Sequence, residues 1–130
     1  MSASNFRSRS IRAIEKLILE HFQTAPFHNL HLIYGSGLNP AVPGGTCSDK
    51  TLSFVAAAVK AGFDASLHSG FIGGKEIHRL ARLRVDECTF FADIGNGWPA
   101  LKLYSACHEM SYLSFGMRFR TKISPGRVAV

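Results

Sequence analysis

The change of pattern at Gly62 constrains the fold of this chain more than any other feature. Before it, residues 8–22 and 46–61 place apolar side chains three or four positions apart, as amphipathic helices do. After it, strand patterns follow one another at 63–68, 77–85, 88–94, 100–104 and 115–123. Helices followed by strands are typical of α+β proteins and not of repeated βαβ units. We therefore predict an α+β chain, with a helical segment at 1–62 and an antiparallel β segment at 63–130, packed as one compact unit.

The composition predicts a globular protein. Hydrophobic residues make up 46% of the 130 residues, which excludes disorder. Three cysteines are too few for a disulfide scaffold, and their odd number leaves one unpaired. The longest wholly apolar run, Phe54–Val59, is far shorter than the ~20 residues of a membrane span. The N-terminus contains no apolar signal region, so we expect a cytoplasmic protein with no membrane partner.

The basic balance of the chain raises the question of a nucleic-acid partner. There are 15 Lys and Arg against 9 Asp and Glu, which gives a net charge of +6. These basic residues are spread over the start, the middle and the end of the chain, and no nucleic-acid-binding motif accompanies them. We therefore expect no nucleic-acid partner. The charge favours either a solvated basic surface or attraction for an anionic small molecule or an acidic protein.

Cys47 stands at the predicted start of the second helix. Thr46 is a natural N-cap, and Asp49 three residues later completes a capping-box pattern. The first turn of a helix favours an anion such as a thiolate, and Gly44 and Gly45 allow the backbone to approach closely. Two interpretations follow: a reactive thiol, or a small buried side chain of the kind that most free cysteines are.

A hairpin of residues 78–85 and 88–94 carries a histidine and a carboxylate. If Val85 pairs with Cys88, Leu80 lies opposite Asp93. His78 is then a diagonal neighbour of Asp93 on the same face, about 7–8 Å away between backbones. A His–carboxylate contact would orient the imidazole and leave its other nitrogen for a thiol. A one-residue bulge would place the two on opposite faces, but Asp93 stands among apolar neighbours and needs a partner.

The remaining cysteines and histidines show no metal-binding pattern. Cys88 stands beside the turn of the hairpin and Cys107 in a polar stretch, so we predict both as structural or surface thiols. The other histidines do not combine with cysteines or carboxylates at zinc-site spacing; they are His21, His28, His31, His68 and His108. The sequence therefore predicts no metal site.

Five stretches together resemble one known family. They are Pro26–Leu30 (PFHNL), Gly44–Asp49 (GGTCSD), His78–Leu80 (HRL), Phe91–Gly97 (FADIGNG) and Gly116–Arg120 (GMRFR). Arylamine N-acetyltransferases have similar motifs in the same order: Pro-Phe-Glu-Asn-Leu, Arg-Gly-Gly-x-Cys-x-Glu, a His-containing strand, Val-Asp-Val-Gly-Phe-Gly and Gly-x-x-(Phe/Tyr)-Arg. The resemblance extends from about residue 11 to residue 120, and several linked motifs in order are far more specific than one motif alone.

The resemblance implies both a fold and a chemistry. The fold is a cysteine-proteinase-like core, with helices that carry the nucleophile followed by a partial β-barrel. By this resemblance Cys47 is the acyl-accepting nucleophile, His78 is its base and Asp93 orients the histidine. The family reaction is ping-pong: the cysteine takes an acetyl group from the co-substrate acetyl-CoA and passes it to an aromatic amine or a hydrazine.

The resemblance also implies that Phe27, Gly95 and Asn96 contact the substrate, while it assigns no residue of this chain to CoA. Asn96 stands where the family has an aromatic residue, Pro43 where it has arginine and Asp49 where it has glutamate. Family members are longer, and their third domain, which contributes to CoA binding, has no counterpart here. We expect a fragment, a short natural form, or a barrel completed by a homodimer or a second chain.

Two other functions remain open on the sequence. Cys, His and Asp in this order also suit papain-like or transglutaminase-like enzymes, in which water or an amine releases the acyl group. Alternatively, the chain is a truncated, inactive relative that binds a partner through open strand edges. Selective alkylation of Cys47 favours an enzyme, whereas equal and slow alkylation of all three cysteines favours the binding protein.

Overall fold

The computed structural model describes residues 3–24, 45–95 and 98–130. Two helices come first within these residues, α1 (Ala3–Thr24) and α2 (Cys47–Lys60). The strands that follow are β1 (Asp64–Ile72), β2 (Lys75–Val85), β3 (Cys88–Ala92), β4 (Tyr104–Ser105), β5 (Ser111–Ser114), β6 (Met117–Arg120), β7 (Lys122–Ser124) and β8 (Arg127–Ala129). The predicted α+β class is confirmed.

Helix α1 is longer than the sequence pattern indicates. It begins at Ala3, whereas the pattern predicts residues 8–22, because the first turns are polar and show no apolar spacing. Ile14 and Ile18 are fully buried and form its inner face. Neither helix in the described part of the chain has the length and apolar character that crossing a bilayer demands.

Helix α2 begins where the capping residues predict. The Thr46 side chain accepts a hydrogen bond from the Asp49 amide at 3.4 Å, and Asp49 Oδ2 accepts one from the Thr46 amide at 2.9 Å. Both halves of the capping box are therefore present. The helix ends before Gly62, whose φ of 95° is in the left-handed region that favours glycine.

The four-stranded antiparallel sheet has the order β1-β2-β3-β4. Val85 pairs with Cys88 and Ala81 with Ala92, which confirms the predicted register of the hairpin. The two turn residues, Asp86 and Glu87, have φ values of 49° and 65°. Two consecutive left-handed residues match the twist of the flanking strands in a two-residue hairpin. The hairpin therefore closes without a bulge between its strands.

The core lies between the two helices and one face of this sheet. Side chains from α1 and α2 meet the inward residues of β2 and β3, and nearly all are less than a tenth exposed. The main members of this cluster are Ile14, Ile18, Phe54, Ala58, Ala81, Leu83, Val85, Phe90, Ala92 and Leu103. Removing this apolar area from water holds α2 against β2, and it thereby positions the first turn of α2 at the end of the sheet.

The C-terminal strands differ from the sequence prediction. The strand predicted at 100–104 is limited to β4, and the strand predicted at 115–123 is interrupted twice. Phe115 and Gly116 form a turn with φ values of 50° and 79° that joins β5 to β6. Thr121 then separates β6 from β7, and its amide donates to the Met110 carbonyl at 2.9 Å. The described residues of this region form two two-stranded sheets, β5-β6 and β7-β8.

The prediction of unpaired thiols at Cys88 and Cys107 is wrong, because a disulfide joins them. β4 pairs with β3 on the side away from β2, and the Ala106 amide donates to the Thr89 carbonyl at 2.8 Å. This pairing brings Cys107 beside Cys88. A long connection, residues 93–103, separates the two strands in the chain, so their pairing leaves no periodic signal in the sequence.

Candidate active site

Cys47 is the first residue of α2 and a half-buried free thiol. The first-turn amides of a helix have no intrahelical partners and favour an anion at this position. The backbone of Gly95 lies directly against it: a Cβ built on Gly95 would be 2.7 Å from Cys47 Cβ and 2.9 Å from Cys47 Cα. Only glycine fits this contact without a shift of the backbone.

His78 and Asp93 are in direct contact. His78 Nε2 lies 2.6 Å from Asp93 Oδ1, and the His78 side chain is almost completely buried. The structure therefore contains the contact that the hairpin register predicts. Since Nε2 is taken by Asp93, Nδ1 is the ring nitrogen available to a thiol. A carboxylate that holds one imidazole nitrogen fixes both the orientation of the ring and the position of its proton.

The electrostatic surroundings favour a positively charged His78. The hydrogen bond to Asp93 raises the pKa of His78, and the charge of that carboxylate raises it further, while burial acts in the opposite direction. Hydrogen bonding and charge from Cys47 also raise the pKa of His78. The imidazole therefore interacts with both the thiol and the carboxylate, so the structure brings Cys47, His78 and Asp93 together.

One hydrogen bond connects α2 to β2, the strand that carries His78, and a second lies within that strand. Thr51 Oγ1 donates to the Arg79 carbonyl at 3.3 Å, and Thr51 is fully buried. Arg79 Nη1 donates to the His78 carbonyl at 3.0 Å. Thr51 lies one helical turn after Cys47, so this contact fixes the start of α2 relative to β2.

Lys50 is a member of the site that the sequence patterns do not single out. It follows Cys47 by three residues on α2 and is only 2% exposed. Burial lowers the pKa of Lys50, and the negative charge of Asp93 partly opposes this shift. Its position was the signal in the sequence that could have identified Lys50. Residues three apart share one face of a helix, and Cys47 lies on that face.

The charge of Asp93 also acts on a pair of tyrosines, Tyr104 and Tyr112. Tyr104 is 3% exposed, and Tyr112 Oη donates to Tyr104 Oη at 3.5 Å. Burial raises the pKa of Tyr104, Tyr112 adds to the shift, and the charge of Asp93 adds to it again. Tyr104 is therefore a neutral hydroxyl in the electrostatic field of the Asp93 carboxylate.

Two of the three predicted substrate contacts, Phe27 and Asn96, lie outside the described residues. Gly95 is described, and its backbone contacts Cys47. Among the described residues no three His, Cys, Asp or Glu side chains group as metal ligands would; the absence of a metal site stays a prediction.

A cleft of about 710 Å³ lies between the β2–β3 hairpin and the β7–β8 hairpin. Its lining includes Arg82, Phe91 and Arg127, so it offers two cationic groups and an aromatic ring. Arg82 is four residues from His78 along β2, about 13 Å at roughly 3.3 Å per residue. Neither Cys47 nor His78 lines this cleft. The cleft could hold an anionic group of a long ligand, but not the reacting atoms.

No protein-family model and no curated protein matches this sequence. Among solved structures, the chain is similar in fold to the arylamine N-acetyltransferase of Nocardia farcinica, with a TM-score of 0.72 and 24% sequence identity. The likeness covers 86% of this chain and 46% of that chain, so the matched part is less than half of its structural neighbour. The fold of the described residues is thus that of an N-acetyltransferase-like protein, consistent with the expected cysteine-proteinase-like core.

Proposed function

We propose that this chain is an arylamine N-acetyltransferase-like thiol acyltransferase, with Cys47 as nucleophile, His78 as acid and base, and Asp93 as the residue that orients His78. The observation that carries the proposal is one buried imidazole that bonds Asp93 at 2.6 Å and also interacts with Cys47. Nucleophile, base and orienting group in contact are the signature of covalent catalysis. The similarity in fold to an arylamine N-acetyltransferase supports the same reaction class.

The first half-reaction acylates Cys47. The thiolate attacks the carbonyl carbon of an acetyl thioester, for which acetyl-CoA is the proposed donor, and forms a tetrahedral intermediate. The C–S bond to the donor then breaks, and the His78 imidazolium gives its proton to the leaving thiolate. Acetyl-Cys47, a free donor thiol and a neutral His78 remain. The first-turn amides of α2 are the groups placed to stabilise the oxyanion.

The second half-reaction transfers the acetyl group to an amine. An aromatic amine or hydrazine attacks acetyl-Cys47, and neutral His78 accepts a proton from the attacking nitrogen. The bond to sulfur breaks, and the site returns to thiolate and imidazolium. Gly95 contacts Cys47, which supports a role for Gly95 in contacting the acceptor. For Phe27 and Asn96 we propose the same role on the resemblance alone.

The anionic part of the donor has a candidate position in the cleft lined by Arg82 and Arg127. Both side chains are cationic, and Phe91 adds a flat apolar surface to the same lining. A donor bound here needs an arm of about 13 Å to bring its thioester along β2 toward His78. The net charge of +6 is suited to an anionic thioester.

We further propose a cytoplasmic location for the protein. We divide the chain into a helical segment at 1–62 and a β segment at 63–130, and we propose that a homodimer or a second chain completes the barrel. Both edges of the four-stranded sheet, β1 and β4, are available to pair with another chain in the described residues. Light scattering coupled to size exclusion distinguishes a dimer from a monomer.

Incubation with acetyl-CoA tests the central step. We expect intact mass to show one added acetyl group, with peptide mapping to Cys47, and its loss when an aromatic amine is added. Cys47→Ala should take up no label, whereas Ser48→Ala, at the next position, should label normally. A folded protein that forms no adduct contradicts acyl transfer from CoA. An adduct released equally fast with and without amine indicates a thiol hydrolase instead.

A further inference from the structure

The Cys88–Cys107 disulfide lies beside the cleft between the β2–β3 and β7–β8 hairpins. The described residues that line this cleft come from two parts of the chain, one before β4 and one after it. Thr89, next to Cys88, belongs to the first part, and Ala106, next to Cys107, belongs to the second. The disulfide therefore joins the two parts of the cleft covalently, one residue away from its lining.

The other links between these two parts are short. β4 is two residues long and pairs with Phe90 and Phe91. Next to it, the Ala106 amide donates to the Thr89 carbonyl at 2.8 Å. In the described part of the chain, β7 and β8 pair with each other and with no further strand, and an isolated two-stranded hairpin is only marginally stable. The shape of the cleft therefore depends strongly on the disulfide.

The two sulfur atoms differ in their access to solvent. Cys88 is 1% exposed, whereas Cys107 is an exposed residue. A thiolate reduces a disulfide by attack on a sulfur that it can reach, so Cys107 Sγ is the point of attack.

Ser105 prepares the same bond to form again. Its Oγ accepts hydrogen bonds from the Cys107 and His108 amides at 3.0 and 3.2 Å, and it lies 3.6 Å from Cys88 Sγ. The two amide hydrogen bonds do not require the S–S bond. We therefore expect Cys107 to stay close to Cys88 after reduction, which makes the change reversible.

The lining of the cleft is suited to an anion that carries a flat ring. Arg82 and Arg127 supply guanidinium groups, which bind phosphate oxygens in pairs. Phe91 supplies an aromatic ring for stacking, and none of the described lining residues is acidic. Arg82 lies before β4 and Arg127 after it. The separation of the two guanidinium groups therefore depends on how firmly the two parts of the cleft are joined.

We propose that the Cys88–Cys107 disulfide is a redox-sensitive switch, which fixes Arg82 relative to Arg127 and thereby sets the affinity of the cleft for a phosphorylated ligand. The identity of that ligand as the acyl donor rests on the proposed function, whereas the switch does not. Disulfides of cytoplasmic proteins are usually redox-sensing or catalytic, and this is the location proposed above. A cleft held in its binding geometry binds more tightly than one that must first be ordered.

A small thiol of the glutathione class supplies the reducing equivalents. Its thiolate attacks Cys107 Sγ, the S–S bond breaks, and the electron pair leaves on Cys88 Sγ, which then takes up a proton. A second thiol attacks the small-molecule sulfur of the mixed disulfide and releases Cys107 as a thiol. The two small thiols leave as their own disulfide, so one disulfide is reduced while another forms. The oxidised small molecule drives the reverse reaction.

Binding of adenosine diphosphate to the two redox states tests the switch, because this probe combines phosphates with a flat ring and contains no thiol. We expect the oxidised protein to bind it in calorimetry, and the Kd to rise about tenfold after reduction with dithiothreitol and removal of the reagent. Oxidised glutathione should restore the original Kd. Arg127→Gln should weaken binding to the oxidised protein, whereas Arg118→Gln, at an exposed position on β6 outside the lining, should not.

Cysteine variants separate the cross-link from side effects of the reagents. Cys107→Ser removes the disulfide at an exposed position; it should bind the probe as weakly as the reduced protein and respond to neither reagent. Cys47→Ala retains the disulfide and should respond as the unmodified protein does. If Cys107→Ser does not fold, Cys88→Ala takes its place.

Three results overturn the switch: equal Kd values in the two redox states, no binding of the probe to the oxidised protein, or equal weakening in Arg118→Gln and Arg127→Gln. Kinetics with two donors test the link to acyl transfer. Reduction should raise the KM for acetyl-CoA and leave kcat/KM unchanged for S-acetyl-N-acetylcysteamine, a thioester without phosphate; an equal loss with both donors would also overturn the switch. Redox-dependent binding of the probe without acetyl transfer would retain the switch and reject the proposed function.

Discussion

The β2–β3 hairpin and the C-terminal hairpins differ in how they are buried. On β2 and β3, one face is closed by α1 and α2, and Ala81, Leu83 and Ala92 on it are fully buried. On β5 to β8, exposed residues alternate with half-buried ones, and no described side chain of these strands is fully buried. A strand with one buried face has a strongly specified register. The candidate active site is thus built on the part of the molecule whose register is most strongly determined.

The largest expected effect is the loss of acyl transfer when His78 or Asp93 is changed. His78→Gln should lower acyl transfer by about 10³-fold or more, and Asp93→Asn by about 10²–10³-fold, because each removes one function of the imidazole. The matched controls are His108→Gln, which is the same substitution, and Glu109→Gln, which likewise turns a carboxylate into an amide; both positions are exposed and lie in the C-terminal region. They should leave the rate of amine acetylation unchanged.

Circular dichroism checks that all four variants remain folded, so that a lower rate reports on the reaction and not on unfolding. Equal losses in the buried and the exposed pairs would mean that the C-terminal region contributes to the reaction as directly as the hairpin. Retention of activity in His78→Gln would remove the proposed base from the mechanism.

Two glycine-to-alanine substitutions test whether close packing against Cys47 is needed for activity. In Gly95→Ala the new methyl group would lie 2.7 Å from Cys47 Cβ, and we expect a loss of about 10–10²-fold in acyl transfer with about 1–3 kcal/mol of destabilisation. Gly74→Ala, in the β1–β2 turn, meets nothing within 4 Å but has a φ of +80°.

The Gly74 variant should therefore lose about 1–2 kcal/mol of stability through backbone strain and keep its activity. Urea unfolding and the acetylation rate of each variant separate the two effects. A Gly95→Ala protein with full activity would show that the approach of residue 95 to Cys47 is not required.

The titration of His78 should make the free energy of unfolding depend on pH, and this effect is smaller than those of the substitutions above. Since the pKa of His78 is raised above its ordinary value of 6.5, the protonated form is favoured in the folded state. This stabilisation is fully present below pH 6.5 and is lost as the pH rises through the raised pKa of the folded protein. The slope cannot exceed about 1.4 kcal/mol per pH unit for one proton.

Urea unfolding between about pH 5 and 8.5 measures this slope. Asp93→Asn removes the hydrogen bond to the carboxylate that contributes most to the shift, so its stability should fall less over the same range. His108→Gln is the control, and its slope should match that of the unmodified protein. A slope of opposite sign near neutral pH would contradict the predicted charge state of His78.

The smallest predicted effect concerns the turn of the β2–β3 hairpin. Glu87 has a φ of 65°, a conformation that glycine adopts without strain. Glu87→Gly creates an Asp-Gly turn, and we expect about 0.5–1 kcal/mol of stabilisation. The acetylation rate should not change. A loss of stability would indicate that the Glu87 side chain makes a contribution that its backbone geometry does not reveal.

The elements that sequence predicted well are those with local signals. The start of α2 follows from Thr46 and Asp49, which meet within one helical turn, and the His78–Asp93 contact follows from a two-residue turn that sets the register. The disulfide and Lys50 were missed for the opposite reason. Cys88 meets Cys107 through the pairing of two strands that are far apart in the chain, and the burial of Lys50 depends on how α2 packs.

The C-terminal strands were placed only approximately because their alternation does not show where the chain turns. Phe115 continues the alternating pattern of the residues after it, yet it occupies a turn with a φ of 50° and is 77% exposed. Alternation reports which side of a strand a residue occupies and not whether the strand continues. Gly116, which has a left-handed φ, was the local signal from which a turn could have been predicted.

The stretch from Asp93 to Gly95 touches both reacting side chains, since Asp93 bonds His78 and Gly95 lies against Cys47. Three residues span at most about 10 Å, so this stretch is too short to let the sulfur and the imidazole move independently. The spacing between nucleophile and base is thereby tied to the chain length of a single connection. Across related sequences, insertions should accumulate after residue 98 and be excluded between residues 93 and 95, and the length of this connection becomes a marker by which active members could be told from inactive ones.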